Sequence, residues 1–393
     1  MEPVSPSDDV PLPAEPLSGR LPSAEASAVE PPAIPPLPDL AEAIPPPLPD
    51  PPSMPRVVGF EFHGQAREYF RIFIVNVLLT LATLGVFSAW AKVRKRRYLR
   101  GNTTLLGHAF HYTAEPWRLL VGNVFMVLLF LGYSFFGAVY PVVRFGTLAV
   151  GALLLPWIVV RSLSFNAFHT LHRGLRLRFR GTLGEATLIY LMLPILVVLS
   201  LGFYYPAWQR QLRAYTVRNH RFGLAQASFH GKTGAYFRPM FFGFLIVIVG
   251  AMLGGAIVGF WTATIGAPLP PTFMIAITLT CYGCGFFTGR HFTYPRIFNH
   301  AWSSTRLGEM TFVATMSPGA WMKLQWVNLL AIIGTAGLAL PWATMRTAKY
   351  QLSCLALQIP KTTDLDKIER MGIGDGSAIG DSAAEFVGLD FGL

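Results

Sequence analysis

The sequence predicts a mainly α-helical, polytopic membrane protein in which pseudo-repeated hydrophobic helix units with glycine breaks are joined to short strands. The 393 residues are 52% hydrophobic and 13% charged, with a mean hydropathy of +0.43. About a quarter of the residues of a soluble domain are charged. Several long segments lack charged side chains, and one residue pattern recurs three times. Lipid is therefore the expected solvent for most of the chain.

Charge is unevenly distributed along the chain. Residues 1–55 contain nine acidic side chains and one basic side chain, together with 18 of the 31 prolines. Residues 56–358 contain 28 basic and five acidic side chains. Because the N-terminal stretch has no apolar periodicity, we expect a disordered, acidic proline-rich tail that is a spacer or docks a cytoplasmic protein partner. A second disordered tail, rich in glycine, is expected at 359–393.

Charge-depleted segments mark the expected helices of the membrane domain, 56–358. They lie at about 72–91, 119–140, 145–160, 186–208, 239–289 and 324–345. The fifth has no charged side chain over its whole length. Since a helical span needs about 20 residues, this segment must hold two spans. We expect two helical hairpins, at 119–160 and 239–289.

An internal repeat organises the remaining segments. Shifting the chain by 117 residues places Gly85 on Gly202, and shifting it by 252 residues places Gly85 on Gly337. Each copy has a hydrophobic helix, a glycine break, an interfacial aromatic residue and a basic turn. We expect three repeats, at 57–112, 175–230 and 308–358. The recurring motif residues are Gly85, Trp90, Arg94, Tyr98, Asn102, Gly202, Trp208, Tyr215, Asn219, Gly337, Trp342, Arg346 and Tyr350.

Short runs that alternate with a period of two flank the repeats and predict strands. They lie at 57–62, 106–112, 175–180, 224–230, 309–314 and 352–357. An unpaired strand exposes its hydrogen-bonding edge, so we expect all six strands in one shared sheet on one side of the bilayer.

Two topologies are open. If seven hydrophobic segments cross, the basic residues divide almost equally between the two sides, against the positive-inside rule. If only the two hairpins cross, and the repeat segments re-enter at Gly85, Gly202 and Gly337, every basic cluster is cytoplasmic. We favour the second topology, with four spans, three re-entrant elements, and the sheet and both tails in the cytoplasm.

The first repeat resembles a known family. The segments Glu68-Tyr69-Phe70-Arg71, Thr83-Leu84-Gly85-Val86-Phe87-Ser88-Ala89-Trp90 and Gly337-Leu338-Ala339-Leu340-Pro341-Trp342 are similar to motifs of the YjgN-like family of bacterial inner-membrane proteins, which carry a domain of unknown function. The resemblance covers about residues 57–358. It implies an inner-membrane location and no established activity, substrate or catalytic residue.

Few residues suggest chemistry. Cys281 and Cys284 have the spacing of a redox pair, but they lie in an apolar span, which favours packing between helices as buried small residues. The pairs His108/His111 and His169/His172 lack a carboxylate or cysteine at ligand spacing, so no metal site is predicted. We find no nucleophile with its base and no nucleotide fingerprint. The sequence therefore indicates no enzyme and no cofactor.

Polar residues of the membrane domain are the candidate binding groups. Asn76 and Asn328 share a register in two repeats and serve either helix contacts or a polar pathway. Glu68 and Glu185 also match and are expected to pair with arginines. Basic residues after the first two glycine breaks are candidates for lipid headgroup binding, or serve only to fix orientation: Arg94, Arg96, Arg97, Arg100, Arg210, Arg213 and Arg218.

These features predict a non-enzymatic inner-membrane protein engaged in transport or in handling anionic lipid. The alternative is a scaffolding membrane module that recruits a cytoplasmic partner through its sheet or its proline-rich tail. Anionic membrane lipid is the expected partner. Nucleic acid is not expected despite the pI of 9.8, because topology explains the basic residues.

Overall fold

The computed structural model describes residues 56–223 and 225–360. The tails expected at 1–55 and 359–393 thus lie outside the described residues, apart from the first two residues of the second. Eleven strands in the described ranges form one antiparallel sheet. They are β1 (Arg56–Gly59), β2 (Glu61–Phe62), β3 (Thr103–Leu105), β4 (His108–Tyr112), β5 (Thr170–His172), β6 (Leu175–Phe179), β7 (His220–Phe222), β8 (Ala225–Phe229), β9 (Thr305–Leu307), β10 (Met310–Ala314) and β11 (Leu355–Ile359).

Four tight hairpins build most of the sheet. β3–β4, β5–β6, β7–β8 and β9–β10 are each joined by a two-residue loop. Both loop residues have a positive φ at Leu106-Gly107 and at Arg173-Gly174, the type I′ geometry that matches strand twist. The four loops lie at one end of the strands. The helices that precede and follow the hairpins therefore all leave from the other end.

The sheet is a nearly closed barrel around a lumen. Its strand order is β1-β11-β10-β9-β8-β7-β6-β5-β4-β3-β2, and only Phe60 separates β1 from β2 in the chain. The Phe60 amide donates a hydrogen bond to the carbonyl oxygen of Leu355 at 3.3 Å. One bent strand therefore joins the two ends of the sheet.

Helices connect the strands in five hairpin-shaped units. They are α1 (Ala66–Ala82), α2 (Ser88–Gly101), α3 (Pro116–Val139), α4 (Pro141–Phe168), α5 (Leu183–Thr187), a π-helical turn (Leu188–Met192), α6 (Leu193–Leu199), α7 (Tyr205–Arg218), α8 (Gly234–Ile265), α9 (Pro271–Ser303), α10 (Pro318–Gly334) and α11 (Leu340–Ser353). Neighbouring units contact one another, and α11 contacts α1. The units therefore form a ring above the barrel.

Two of the five units are long and three are short. Within the described residues, α3, α4, α8 and α9 are the helices long and apolar enough to cross a membrane. α8 has 32 residues, about 48 Å at 1.5 Å per residue. α1 and α10 have 17 residues each, about 25 Å, and the helical stretch Leu183–Leu199 matches them in length. The short units contain α1–α2, α5–α7 and α10–α11.

Small residues bring α8 and α9 close together. A Cβ atom added at Gly250 would lie 2.8 Å from the Cα atom of Gly285, and one at Gly254 would lie 3.2 Å from the Cβ atom of Cys281. Cys284, in contrast, is exposed on the outside of the unit. The interpretation of the cysteine pair as buried packing residues is therefore wrong for Cys284.

The expectation of six strands is incomplete. The sequence pattern does not indicate β3, β5, β7 and β9, which have three residues each and directly follow helices. Three residues are too few to show an alternating pattern. The predicted run 352–357 is also wrong at its start, because Leu352 and Ser353 belong to α11.

Candidate functional site

The three short units reverse direction through the same turn. The φ angles are 49° and 94° at Leu84-Gly85, 51° and 90° at Leu201-Gly202, and 49° and 92° at Ala336-Gly337. In each turn the glycine amide donates to the carbonyl oxygen five residues earlier, at 2.7 to 2.8 Å. Such a bond is typical of a Schellman helix end. The three predicted glycine breaks therefore share one backbone geometry.

The turns of the short units are apolar and exposed. Leu84 is 96% exposed, Leu201 is 90% exposed and Phe203 is 76% exposed. Apolar surface gains about 25 cal/mol for each Å² removed from water. The tips of the short units are therefore suited to insertion into lipid.

The motif tyrosines tie the two helical arms of each short unit together at the base. Their hydroxyls donate to the N-cap carbonyl oxygens of the first helices: Tyr98 to Gln65 at 3.0 Å, Tyr215 to Thr182 at 3.3 Å and Tyr350 to Ser317 at 3.3 Å. Asn102 and Asn219 cap the second helices, since each side-chain amide donates to a backbone carbonyl oxygen four residues earlier at 2.9 Å. These motif residues stabilise the fold.

The motif tryptophans lie near the turns. The Trp208 indole donates to the carbonyl oxygen of Ile189 at 2.8 Å, and Trp90 packs against the buried cluster that contains Val93. Trp342 is 39% exposed, and the guanidinium carbon of Arg346 lies 5.0 Å from its ring centre. Aromatic residues above a basic segment are typical of a membrane–water interface.

The structure does not gather the seven candidate lipid-binding arginines into one cluster. Arg94 and Arg97, on α2, are exposed. Arg96 contacts the hydroxyl of Tyr112 and the side chain of Asn166. Arg100 donates to the hydroxyl of Thr170 at 2.7 Å. Arg96 and Arg100 therefore serve contacts between the first two units and the sheet.

The second group of arginines divides in the same way. Arg210 donates to the carbonyl oxygen of Gly231 at 3.0 Å, whereas Arg213 faces the barrel lumen. Arg218 forms an ion pair with Glu185 at 2.5 Å, so the expected pairing of Glu185 is confirmed. The matching carboxylate, Glu68, accepts instead from the Tyr98 hydroxyl at 3.1 Å.

Asn76 and Asn328 are both buried. The Asn328 amide donates to the Thr347 hydroxyl at 3.0 Å and thereby links α10 to α11. The Oδ1 atoms of both asparagines have no hydrogen-bond partner among the described residues. Neither residue lines the cavity of the barrel, so their placement favours helix packing over a pathway through the lumen.

The barrel lumen contains a cavity of about 380 Å³. Small-molecule sites typically measure about 300–1,000 Å³. The wall of the cavity is mainly apolar and includes Phe110, Leu175, Leu177, Phe222, Phe312 and Leu357.

Arg213 lies at the helix-bearing end of the lumen. It is on α7, and its guanidinium carbon is 4.9 Å from the ring centre of Trp302. Its Nε atom and the hydroxyl of nearby Tyr236 are buried without a hydrogen-bond partner in the described residues. Burial lowers the pKa of Arg213, but arginine stays protonated in proteins. The end of the lumen thus holds a buried cation with an unused donor.

Neutral histidines form part of the lumen wall. The His172 ring stacks on Phe110 with 4.4 Å between ring centres, and neither ring nitrogen has a partner among the described residues. Burial lowers the pKa of His172 to about 4, and the nearby positive charges of His108 and Arg173 add to this effect. Burial also lowers the pKa of His220. At neutral pH these rings are therefore uncharged.

No acidic side chain lines the cavity in the part of the chain that the structure describes, whereas Arg213 faces it at one end; Arg221, near the strand loops, turns its guanidinium to exposed Gln226 on the outer face. Burying an uncompensated charge is costly. The lumen is therefore both apolar and electropositive. The described residues hold no group of three or more histidine, cysteine or acidic side chains that could bind a metal ion.

Sequence reasoning assigned Arg213 to the membrane surface and did not single out Trp302. The sequence did contain one signal for the lumen, which is the alternation of apolar and polar residues along the strands. In β6, Leu175 and Leu177 line the cavity while Arg176 between them is exposed, so the apolar positions mark the lumen.

The comparison with protein families is consistent with this architecture. The family described as "Bacterial protein of unknown function (DUF898)" matches residues 58–386, which is most of the chain. The chain belongs to this family. Its similar proteins include inner membrane protein YjgN of Escherichia coli (strain K12), at 32% identity over 150 residues, and YjgN of Salmonella typhimurium (strain LT2), at 29% identity over 141 residues.

The alignment to these DUF898-type relatives is partial. It covers 37% of this chain and 36% of the Escherichia coli protein, and 36% of both chains for the Salmonella protein. The chain thus spans about a third of the length of the curated relatives it matches. No solved structure matches the chain. With four helices long enough to cross a bilayer and relatives in the inner membrane, this DUF898 protein is a multi-pass inner-membrane protein.

Proposed function

We propose that this protein handles anionic lipid at the cytoplasmic face of the inner membrane. The observation that carries the proposal is the set of three exposed apolar turns, at Gly85, Gly202 and Gly337, held at one height by helical arms of equal length. An arm of about 25 Å is shorter than the hydrocarbon core, about 30 Å thick. The short units therefore enter one leaflet and return, while the two long units cross.

The charge distribution supports a cytoplasmic position for the barrel. Among the described residues, Arg144 is the basic side chain near the turn of a long unit, and residues 239–289 carry no charge. The other basic side chains lie in the barrel or within about 15 residues of it along a helix, which is about 23 Å. The positive-inside rule places such a surface in the cytoplasm.

Exposed cations at the base of the first short unit supply the contact to lipid headgroups. Arg94 and Arg97 are exposed on α2, a few residues beyond the interfacial Trp90. Each such residue near an anionic leaflet contributes about 1 kcal/mol. The remaining five candidate arginines have hydrogen-bond or ion-pair partners or face the lumen, so Arg94 and Arg97 are the ones proposed to contact headgroups beside the exposed turns.

The test is the lipid that the protein retains in native nanodiscs. Replacing Arg94 and Arg97 with Gln removes two exposed charges near the membrane, and replacing Arg176 and Arg306 with Gln removes two exposed charges from the outer wall of the barrel. We expect mass spectrometry to show a loss of phosphatidylglycerol and cardiolipin relative to phosphatidylethanolamine for the first variant alone. Equal retention in both variants, with correct orientation, contradicts the proposal.

The scaffolding alternative makes a different prediction. It recruits a partner through the sheet or through the proline-rich tail, residues 1–55, which lie outside the described residues. Deleting them would abolish a scaffolding activity, whereas lipid retention is expected to stay unchanged.

A further inference from the structure

We propose that the barrel lumen binds one single-chain amphiphile, with the apolar chain inside the barrel and the anionic group on Arg213. This site lies within the barrel and is separate from the exposed Arg94 and Arg97. This proposal goes beyond contact with the bilayer surface, because a site in the lumen would select one molecule by its shape and charge. The chemistry shared by the candidate ligands is a long apolar chain with a single carboxylate or phosphate.

The dimensions and walls of the lumen fit such a chain. The longer strands have five residues, so the barrel is about 16 Å deep at 3.3 Å per residue. The cavity of about 380 Å³ is lined by apolar residues of several strands, including Phe110 and Leu357. A polar ligand or a bulky bicyclic one would leave part of these apolar walls in contact with water. A flexible apolar chain can adapt to the shape of the walls and cover them.

The helix-bearing end of the lumen provides the seat for the anion. Arg213 lines this end of the lumen, and no acidic side chain lines the cavity among the described residues. Trp302 holds the guanidinium by a cation–π contact. An oxyanion placed in the lumen beside Arg213 compensates the positive charge of the guanidinium, and charge-assisted hydrogen bonds between a guanidinium and an oxyanion are the strong ones.

The position of Arg213 also relates the ligand to the membrane. Its helix, α7, follows the exposed turn at Gly202, and the lumen end that it occupies faces the ring of helical units. A single-chain lipid from the adjacent leaflet therefore approaches its site from the membrane side. The opposite end of the lumen is formed by the strand loops, near Arg221.

Binding measurements on the delipidated full chain in a steroid detergent test the proposal. The probes are oleate, the uncharged oleyl alcohol and lysophosphatidic acid, with stoichiometry read by native mass spectrometry. We expect one molecule bound per chain. Arg213→Gln is expected to weaken both anionic probes about tenfold or more and to leave the alcohol unchanged. Arg221→Gln removes an arginine of the neighbouring strand whose guanidinium donates to exposed Gln226 on the outer face of the barrel at 3.3 Å, so it is the matched control and should bind like the wild type.

A second variant keeps the test decisive if Arg213→Gln does not fold. Ala227 lines the cavity, and Ala227→Phe fills part of it while Arg213 is retained, so all three probes should lose binding. Wild-type affinity in Ala227→Phe, absence of one-to-one binding, or equal oleate affinity in Arg213→Gln would overturn the proposal. Tighter binding of oleate or of lysophosphatidic acid identifies a carboxylate or a phosphate as the natural head. Lipid retention by Arg94 and Arg97 is measured separately, so either proposal can fail alone.

Discussion

The long and short helical units extend from the same end of the barrel but are stabilised in different ways. In α8–α9, glycines at Gly250 and Gly254 let two backbones pack along the length of the unit. The short units instead depend on a left-handed turn at the tip and a tyrosine hydrogen bond at the base. In lipid, close packing replaces the hydrophobic effect as the force between helices. Length alone does not decide this difference, because in the other long unit, α3–α4, a Cβ atom added at Gly132, Gly146 or Gly151 would meet nothing within 4 Å.

The largest effect is expected from crowding a long unit. In Gly250→Leu the new Cβ would approach backbone atoms, the Cα of Gly285 at 2.8 Å and the carbonyl oxygen of Cys281 at 2.9 Å. Backbone cannot move aside as a flexible side chain can, so we expect a loss of about 3 kcal/mol. Gly255→Leu, where nothing lies within 4 Å, is the control. Thermal unfolding in detergent measures both, and equal midpoints would contradict the packing role.

A second prediction concerns the barrel that carries both kinds of unit. The pKa of His172 is lowered to about 4 in the fold, so the unfolded chain takes up its proton first as pH falls. Its stabilising contribution is present above pH 6.5 and declines towards pH 4, by about 2 kcal/mol at pH 5. His172→Phe should flatten this pH dependence of the unfolding midpoint. An unchanged pH profile would show that His172 is not buried as a neutral ring.

The stability of the turn in a short unit should depend on its backbone conformation and not on crowding by neighbouring atoms. At Gly85 φ is +94°, and no atom lies within 4 Å of an added Cβ. Gly85→Ala should therefore cost about 1–2 kcal/mol through the left-handed conformation alone. Gly101→Ala, also uncrowded but without a positive φ, should be neutral or stabilising. If the two variants unfold at the same temperature, the turn geometry at Gly85 is not required.

The tyrosine bond at the base is expected to contribute least. Tyr350→Phe removes the hydrogen bond to the carbonyl oxygen of Ser317 and should cost about 1 kcal/mol. Tyr98→Phe should cost more, since its hydroxyl also accepts from the Gln65 amide and donates to Glu68. Tyr282→Phe on α9, whose hydroxyl has no hydrogen bond among the described residues, is the control. If all three variants lower the unfolding midpoint by the same small amount, the motif tyrosines do not stabilise the short units.

The sequence revealed the elements of the short units because their special residues recur. Gly85, Gly202 and Gly337 mark the turns since a positive φ favours glycine, and the tyrosines recur at one spacing. The middle unit departs from this pattern. Pro194 has no amide hydrogen to donate, and the Leu193 amide bonds to the carbonyl oxygen of Leu188, which makes a π-helical turn. A single proline does not by itself indicate this outcome.

The residues that face the lumen were harder to predict, because side chains at equivalent positions of two repeats have different neighbours. Arg96 and Arg213 correspond in the repeat, yet Arg96 contacts Tyr112 at the end of β4, while Arg213 stacks on Trp302 inside the barrel. The difference comes from the long units, which place Asn166 of α4 beside Arg96 and Trp302 of α9 beside Arg213. Sheet closure also joins residues some 300 positions apart, and local patterns carry no information about such contacts.

The most direct test is which turns of the five units reach the periplasm. In a chain with Cys281, Cys284 and Cys354 replaced by Ala, single cysteines are placed at Tyr140 and Ala267 in the long units, at Leu201 and Ala336 in the short units, and at Ser228 and Ser303 near the barrel. An impermeant maleimide is then applied to intact spheroplasts. We expect labelling at Tyr140 and Ala267 alone, with Ser228 and Ser303 labelled only after permeabilisation. Labelling of Leu201 or Ala336 from the periplasm would show that the short units cross, and labelling of Ser228 or Ser303 would contradict a cytoplasmic barrel.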